Sequence, residues 1–552
     1  MLNLSKSSGG SSLENVLITS KLVKEGCIIH SHTNQAEISL SSLCLISAMD
    51  PQPGYPLLTT FFFFFCILAI LTILKRLNSS RLTSKLPPGP WKLPLIGNIH
   101  NLVGSLPHRS LRDLASKHGP LMHLQLGEVS AVIVSSAEVA REVMKTHDIN
   151  FAARSPLLAS KILFYNSTDI TFMPYGEQWK QLRKICSLEL LSMNRVKSFR
   201  QIREEEMSNL VKRLASSAGS PVNLTECIMS LAFTIVARTT FGKKCSRQEQ
   251  FIPLVAEAVR RLSGFDINDV FPSLTWLHVI SGVKLKLEKI HHEMDGILET
   301  IIREHGESRA IKTGEGDTPL DLIDVLLKFE EHDEDGFFLS RTNIKAVVLD
   351  IFTGGSETSA TTVNWAMAEM MKRPKILARA QAEVRRVFGG QGRVVEQDLP
   401  ELKFMTSIIK ETLRLHPPGP LIPRECQGRC KIDRFEIPEK TRVIVNAFAI
   451  GRDPKYWTDP EAFDPERFLE SHVDYKGCNF EYIPFGAGRR ICPGMAYGLA
   501  NVGLQLAMLL YHFNWKLPNG MKNEDLDMTE SFGLSVRRKD DLILIPTSYH
   551  LH

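Results

Sequence analysis

A single thiol stands in a glycine-containing turn near the carboxyl end of the chain. Residues 485–494 read Phe-Gly-Ala-Gly-Arg-Arg-Ile-Cys-Pro-Gly, and an apolar stretch at helical spacing follows them. The glycines let the backbone lie close under a flat macrocycle, and Arg490 supplies a cation for its carboxylates. The positive end of the following helix favours a thiolate. The pattern predicts that Cys492 ligates a haem iron, which favours cleavage of bound O₂. A buried structural cysteine is the alternative.

Residues 340–372 predict one long helix whose centre consists of poor helix formers. Residues 354–359 read Gly-Gly-Ser-Glu-Thr-Ser, and Pro374 lies just beyond the predicted end. Two glycines and three hydroxyl residues favour a locally opened turn that admits water or O₂. We therefore expect Thr358 to hydrogen-bond oxygen and Glu357 to relay protons through ordered water. The alternative is a packing notch for a crossing helix, with Glu357 merely exposed.

Two pairs of residues at helical spacing predict a carboxylate clamp and an ion pair. Trp179 and Arg183 are four residues apart, so both lie on one helical face and can meet one carboxylate. Glu411 and Arg414 are three residues apart and also share a face, although such pairs are common on surfaces. Arg467 offers a second guanidinium. Each of these patterns is weak when it is taken alone.

Taken together, the motifs resemble those of the cytochrome P-450 superfamily. The pattern Phe-x-x-Gly-x-Arg-x-Cys-x-Gly is similar to its haem-binding signature, and residues 354–359 resemble its oxygen-activating motif. The likeness spans residues 85–547 and is greatest to plant microsomal enzymes of the seventy-one clan, in particular those that oxidise terpenoids or terpenoid-derived alkaloids. It implies haem b and a fold that is mainly α with small β-sheets.

The resemblance also implies roles for individual residues. It makes Cys492 the axial ligand of the haem iron, and Glu357 and Thr358 the residues of proton delivery. It implies a group that binds the haem and its propionates: Trp179, Arg183, Arg424, Phe485 and Arg490. It implies a buried ionic network that locks the haem-binding core: Glu411, Arg414 and Arg467.

The amino-terminal end predicts a membrane anchor. Residues 57–74 carry no charge and are long enough to span a bilayer as a helix. Residues 75–94 are basic and proline-rich, which predicts a semi-rigid hinge and places the body in the cytosol. A cleaved signal peptide is the alternative. We expect residues 49–56 to form a short luminal lead and residues 1–48 a disordered upstream extension, with a targeting segment as the alternative; residues 95–552 would form the catalytic domain.

The composition excludes one class of function and leaves several open. With 66 basic and 61 acidic residues the formal net charge is +5, so no overall electrostatic field favours the binding of nucleic acid. Because the chain carries no nicotinamide-binding fingerprint, its electrons must come from a partner, and the resemblance implies a membrane-bound NADPH-cytochrome P-450 reductase.

We expect a monooxygenase of the endoplasmic reticulum, with its catalytic domain in the cytosol, that inserts oxygen from O₂ into an apolar plant metabolite. A haem enzyme that rearranges or couples substrates and a haem protein without turnover are the alternatives.

The resemblance places the substrate beside four parts of the chain, which are residues 157–166, Ile351, Leu421 and Phe532. Residues 419–423 read Gly-Pro-Leu-Ile-Pro, one residue fewer than is usual in this clan. Because of this departure, the shape of the pocket cannot be transferred from the family and has to be taken from the structure.

Overall fold

The computed structural model describes residues 60, 63, 66, 67 and 85–549, except 243–246, 263–265, 312–319 and 332–338. Lys75–His552 form one compact unit. The predicted extension and luminal lead lie outside the described residues. The same is true of the predicted anchor, apart from its four described helical positions, and of the first ten residues of the hinge.

Helices make up most of the described chain. The first nine are α1 (Pro107–His118), α2 (Ala137–Arg141), α3 (Leu158–Leu163), α4 (Glu177–Ile185), α5 (Met193–Ser198), α6 (Arg200–Ser216), α7 (Leu224–Phe241), α8 (Gln248–Arg260) and α9 (Ile267–Val270). They are followed by α10 (Thr275–Ile280), α11 (Val283–Ile311), α12 (Leu322–Glu331), α13 (Arg341–Gly355), α14 (Glu357–Lys372), α15 (Pro374–Phe388), α16 (Lys403–Leu415), α17 (Ala447–Ile450) and α18 (Met495–His512).

Eleven short strands lie among the described residues and form small sheets. They are β1 (Leu121–Leu126), β2 (Val129–Val134), β3 (Val222–Asn223), β4 (Leu421–Glu425), β5 (Cys430–Ile432), β6 (Phe435–Ile437), β7 (Arg442–Asn446), β8 (Phe513–Lys516), β9 (Glu530–Ser531), β10 (Arg537–Arg538) and β11 (Ile543–Ser548). One sheet has the order β1-β2-β7-β4, and it is antiparallel except for the β2–β7 pair. A second has the order β3-β11-β8, and β5–β6 and β9–β10 are two-stranded.

The shortened segment, residues 419–423, enters β4 at Leu421 and does not disturb the pairing of this strand. All five residues of β4 pair in register with β7, from Leu421 opposite Asn446 to Glu425 opposite Arg442. The Pro418 carbonyl accepts a hydrogen bond from the Val536 amide at 2.8 Å. The strand therefore keeps its regular pairing, and the segment preceding it is tied to the chain just before β10.

The predicted long helix is divided in two at Ser356. Its predicted start is confirmed, since Ser340 caps the Asn343 amide, and Pro374 opens the next helix. Ser356 has ψ −72°, and its hydroxyl donates to the Phe352 carbonyl at 2.6 Å. A side chain that bonds back to the preceding turn favours a bend, so the break follows the local chemistry of this run.

Within the described chain, one helix is long and apolar enough to cross a bilayer by length and composition, and it is α7. Most of α7 is buried, including Leu231, Ile235 and Val236, and it packs on α14, α6 and α13. An apolar helix with this surrounding is typical of a protein core.

Candidate active site

A cavity of about 340 Å³ lies between the broken helix and the thiol loop. Cys492 and its neighbours Pro493 and Gly494 line it, and so do Gly354 and Thr358 from the α13–α14 break. The predicted iron ligand and one of the two predicted proton-delivery residues therefore share one chamber. The second residue, Glu357, is half-buried beside Thr358 and is not among the lining residues.

The thiol loop holds Cys492 through its backbone and through two glycines at positive φ. The Cys492 amide donates to the Phe485 carbonyl at 3.0 Å, which closes the loop. Gly488 has φ +70°, and a Cβ there would lie 2.2 Å from the Met144 carbonyl oxygen, so only glycine fits. Burial raises the pKa of the Cys492 thiol, whereas the Gly494 amide and the Arg183 charge lower it. A coordinating metal ion removes this proton outright.

Four guanidiniums gather near the thiol loop. Arg154, Arg183 and Arg490 line the cavity, and Arg424 is buried with its guanidinium donating to the Ala487 carbonyl at 3.3 Å. Burial lowers the pKa of all four groups, and the charges of Arg154 and Arg490 lower that of Arg424 further. Their neighbours in the described chain are mainly backbone carbonyls, and none of the four forms an ion pair there.

This excess of positive charge is a test of whether the site suits haem. Buried charges without a direct ion-pair partner are costly, and the cluster lies beside a cavity that also contains a thiol. A haem carries two carboxylates, which match guanidiniums in charge and in hydrogen-bond geometry. The donor set and the charge therefore fit iron protoporphyrin IX.

Trp179 lies behind the guanidiniums and outside the cavity lining. Its indole N–H donates to the Ile170 carbonyl at 2.9 Å, and the Arg490 guanidinium lies 4.2 Å from its ring centre. Arg183 lies on the same helix, α4, and donates to the Ile491 carbonyl in the thiol loop. The i, i+4 spacing therefore places both side chains at the thiol loop, with Trp179 packed against the cations.

At the α13–α14 break, hydroxyl side chains bond back to the preceding turn. The Thr358 hydroxyl donates to the Gly354 carbonyl at 2.6 Å, and the Ser359 hydroxyl donates to the Gly355 carbonyl at 3.0 Å. A Cβ on Gly354 would meet no atom within 4 Å, so this glycine leaves open space at the wall. Burial raises the pKa of Glu357, and the charges of Arg537 and Arg260 lower it.

The predicted ionic network is buried and tightly bonded. The Arg414 guanidinium donates to both carboxylate oxygens of Glu411 at 2.7 Å, and neither side chain is exposed to solvent. Arg467 donates to the same carboxylate at 3.1 Å. Glu411 also accepts the Asp464 amide at 2.8 Å, so the carboxylate ties helix α16 to the segment around residue 465.

Apolar side chains supply much of the rest of the lining. Ile351 and Leu421 are among them, as the resemblance implied, together with Leu191, Leu499 and Val502. Phe485 also lines the cavity. Neither residues 157–166 nor Phe532 are among the lining residues; Phe532 instead stacks on His108 with ring centres 6.1 Å apart. The β9–β10 tip is therefore held against helix α1 in this structure.

Reasoning from the sequence missed several lining residues, among them three polar ones. Arg154 and Thr171 lie in the stretch between β2 and α4, which carries no repeating pattern, and Asp350 lies on α13. A signal existed for Asp350, because it is a single acid in the apolar run Val-Val-Leu-Asp-Ile-Phe. A charged residue on a buried helical face indicates that a polar or charged group binds it, because unpaired charges are rarely buried.

The family model for cytochrome P450 matches residues 87–544. The chain therefore belongs to the cytochrome P450 family, the haem-containing oxidoreductases. It is 57% identical to cytochrome P450 71D11 of Lotus japonicus over 87% of this chain and 99% of that protein. It is 52% identical to premnaspirodiene oxygenase of Hyoscyamus muticus, over 88% of this chain and 97% of that protein. It is also 52% identical to salviol synthase of Salvia pomifera, over 90% of this chain and 97% of that protein.

Solved structures agree with this assignment. A zebrafish cytochrome P450 in a structure with abiraterone has a TM-score of 0.68 and 25% sequence identity, covering 81% of this chain and all of that one. The predicted family, the mainly α fold with small β-sheets, the haem cofactor and the monooxygenase class are therefore confirmed. Such an enzyme uses O₂, a redox partner and hydrophobic substrates.

Proposed function

We propose that the protein hydroxylates, or oxidises further, an apolar plant secondary metabolite of the terpenoid or terpenoid-derived alkaloid class. The observation that carries the proposal is a single cavity lined by the Cys492 thiol, the Thr358 hydroxyl and aliphatic side chains. Two relatives that are 52% identical are named for terpenoid chemistry, premnaspirodiene oxygenase and salviol synthase. An aliphatic lining suits a substrate with few polar groups.

We assign each residue a role that its position supports. Cys492 would hold the haem iron, and Arg154, Arg183, Arg424 and Arg490 would neutralise the propionates, with Trp179 and Phe485 packed beside them. When bound, the haem supplies the O₂ activation by which one oxygen atom enters the substrate. The Thr358 hydroxyl holds a proton at the cavity wall, and Glu357 supplies protons to it through ordered water. Leu421 and Val502 exclude bulk water from the substrate.

The electron donor we propose is a membrane-bound NADPH-cytochrome P-450 reductase, and the location is the endoplasmic reticulum. Residues 57–74 would cross the bilayer once, leaving the catalytic domain in the cytosol. Two groups of exposed apolar side chains support contact with lipid: Trp91, Leu95 and Val103 in one, and Trp276, Ile280 and Leu285 in the other. The β1–β2 turn joins these segments, since Gly127 bonds to Ile96 and Glu128 bonds to Val270. Clustered exposed apolar residues are typical of an interaction surface.

The decisive experiment is turnover in microsomes that contain both this protein and the reductase. We expect the protein to sediment with the membranes and to convert members of a terpene and alkaloid panel into products that contain one atom from ¹⁸O₂. Product without the label would favour rearrangement or coupling. A thiolate-type carbon monoxide difference spectrum without NADPH consumption on any panel member would favour a haem protein without turnover.

Replacing Thr358 by alanine tests proton delivery. We expect Thr358→Ala to retain haem but to divert electrons to hydrogen peroxide, with product formed per NADPH lower by about tenfold or more. Thr300→Ala is the matched control, because the Thr300 hydroxyl also donates to a glycine carbonyl four residues earlier, Gly296, on an exposed helical face. Equal coupling in the Thr358 and Thr300 variants would contradict the role of Thr358.

A further inference from the structure

Residues 169–173, here called the carbonyl segment, contact the guanidinium cluster through the backbone. The Thr171 carbonyl accepts a hydrogen bond from Arg154 at 2.9 Å, and the Ile170 carbonyl accepts one from Arg490 at 3.1 Å. The Met173 carbonyl accepts a second bond from Arg490 at 2.5 Å. The orientation of two cavity-lining cations therefore depends on where this short segment lies.

Two acids bind the carbonyl segment, one from helix α13 and one from within the segment itself. Asp350, on helix α13, accepts the Ile170 amide at 2.8 Å and the Thr171 hydroxyl at 2.5 Å. Asp169 accepts the Phe172 amide at 3.2 Å, and its carboxyl group lies within hydrogen-bond reach of that of Asp350. Asp169 is 0% exposed and Asp350 is 8% exposed. Two buried carboxyl groups in contact cannot both be ionised, so they share a proton.

The hydrogen bonds determine which acid carries that proton. Asp350 accepts two donors besides Asp169, which favours its carboxylate form. Asp169 accepts a single donor, the Phe172 amide, which lies 3.2 Å from both of its oxygens, so Asp169 is the acid with fewer donors and carries the proton. Burial and the Asp350 charge raise the pKa of Asp169 well above its usual range, and burial raises the pKa of Asp350. The charged groups that face the pair are Arg154 and Arg490, and the Cys186 thiol lies near Asp350.

We propose that Asp169 and Asp350 are a proton-sharing pair that positions the carbonyl segment and so aims Arg154 and Arg490 at the haem propionates. Both acids are positioning residues, because they act through the segment and not on the substrate. The proposal rests on the proposed propionate role of the guanidiniums. It adds a link between helix α13, which lies on the oxygen side of the cavity, and the cations that hold the cofactor.

The pair has a pH dependence whose sign follows from the raised pKa values. An acid whose pKa is raised in the folded protein stabilises it below the unfolded pKa, and this contribution is lost as the pH rises through the folded pKa. Ionisation of Asp169 places two negative charges in contact and loosens the segment. Haem should therefore be lost faster as the pH rises through the raised pKa of Asp169, which a scan from about pH 6 to about pH 9 follows.

The experiment is transfer of haem from the holoprotein to excess apomyoglobin, followed by absorbance across this pH range. In Asp169→Asn the amide still donates to Asp350 and its oxygen still accepts the Phe172 amide, so haem loss at pH 7 should stay within about twofold of the unmodified protein. The rise in rate with pH should disappear, since the titrating proton is gone. In Asp350→Asn one amide oxygen faces two donors and the negative charge is lost, so haem loss should be faster by about tenfold at all pH values.

Two further variants make the result specific. Asp525→Asn removes an exposed acid and should change neither the rate nor its pH dependence. Arg154→Gln tests the guanidinium role directly and should accelerate haem loss. Proton sharing would be overturned if the pH dependence of haem loss persists in Asp169→Asn. It would also be overturned if both acid variants accelerate haem loss equally. If Asp350→Asn has no effect while Arg154→Gln does, the positioning role is wrong; if Arg154→Gln also has no effect, the guanidinium assignment itself fails.

Discussion

Cys492→Ala is expected to be isolated without haem, with a haem content below about a tenth of that of the unmodified protein and no activity. The sulfur lies in a loop closed by the Cys492 amide and the Phe485 carbonyl, and it is the thiol among the residues that line the cavity. The guanidiniums alone bind only carboxylates, so the iron would lack its protein ligand. Haem content per chain and the carbon monoxide difference spectrum measure the effect.

The control for this substitution is another free cysteine. Cys478 is exposed and lies fourteen residues earlier, outside the cavity lining. Cys478→Ala should keep full haem content and the thiolate-type band. Retention of that band in Cys492→Ala would contradict its assignment as the axial ligand, and equal haem loss from both variants would indicate a general effect on folding.

Arg414→Ala is expected to destabilise the folded protein by about 3 to 5 kcal/mol, because it leaves the fully buried Glu411 carboxylate with too few donors. The same guanidinium donates to the Gly451 and Pro460 carbonyls at 2.7 Å and to the Ala462 carbonyl at 2.9 Å. These acceptors would also lose their partner. The shift in the midpoint of urea unfolding of the holoprotein measures this cost.

The chain contains a matched surface pair for comparison. Glu257 and Arg260 have the same i, i+3 spacing, but the Arg260 side chain is 59% exposed. Arg260→Ala should cost no more than about 1 kcal/mol, since exposed ion pairs contribute little. Arg467→Ala should fall between the two, because Arg467 makes one bond to Glu411 and is 12% exposed. If Arg414→Ala and Arg260→Ala lower the free energy of unfolding equally, the buried network does not stabilise the fold as proposed.

Several features could be predicted because their determinants are local. The turn around Cys492 needs glycine where φ is positive, and Gly488 leaves no room for a side chain. The helix around residue 356 is broken because hydroxyl side chains bond back to the preceding turn. The spacing of Trp179 and Arg183 places them at the same end of the site, since four residues return a helix to the same face.

Other features required the folded chain. The sequence places Glu411 and Arg414 on one helical face, but the same spacing at Glu257 and Arg260 gives a surface pair. Asp169 and Asp350 are 181 positions apart and carry no shared motif, yet they meet beside Arg154. Phe532 stacks on His108 and is not among the cavity-lining residues.

By itself, then, the sequence of this cytochrome P450 determined the class of chemistry, because thiolate ligation and the opened helix depend on short runs of residues whose backbone needs are local. Only the tertiary structure decided which charges are buried, which acids share a proton and which side chains line the cavity. Burial and contact between distant segments depend on how the helices and sheets pack, and the energy of a charge depends on that packing more than on its neighbours along the chain.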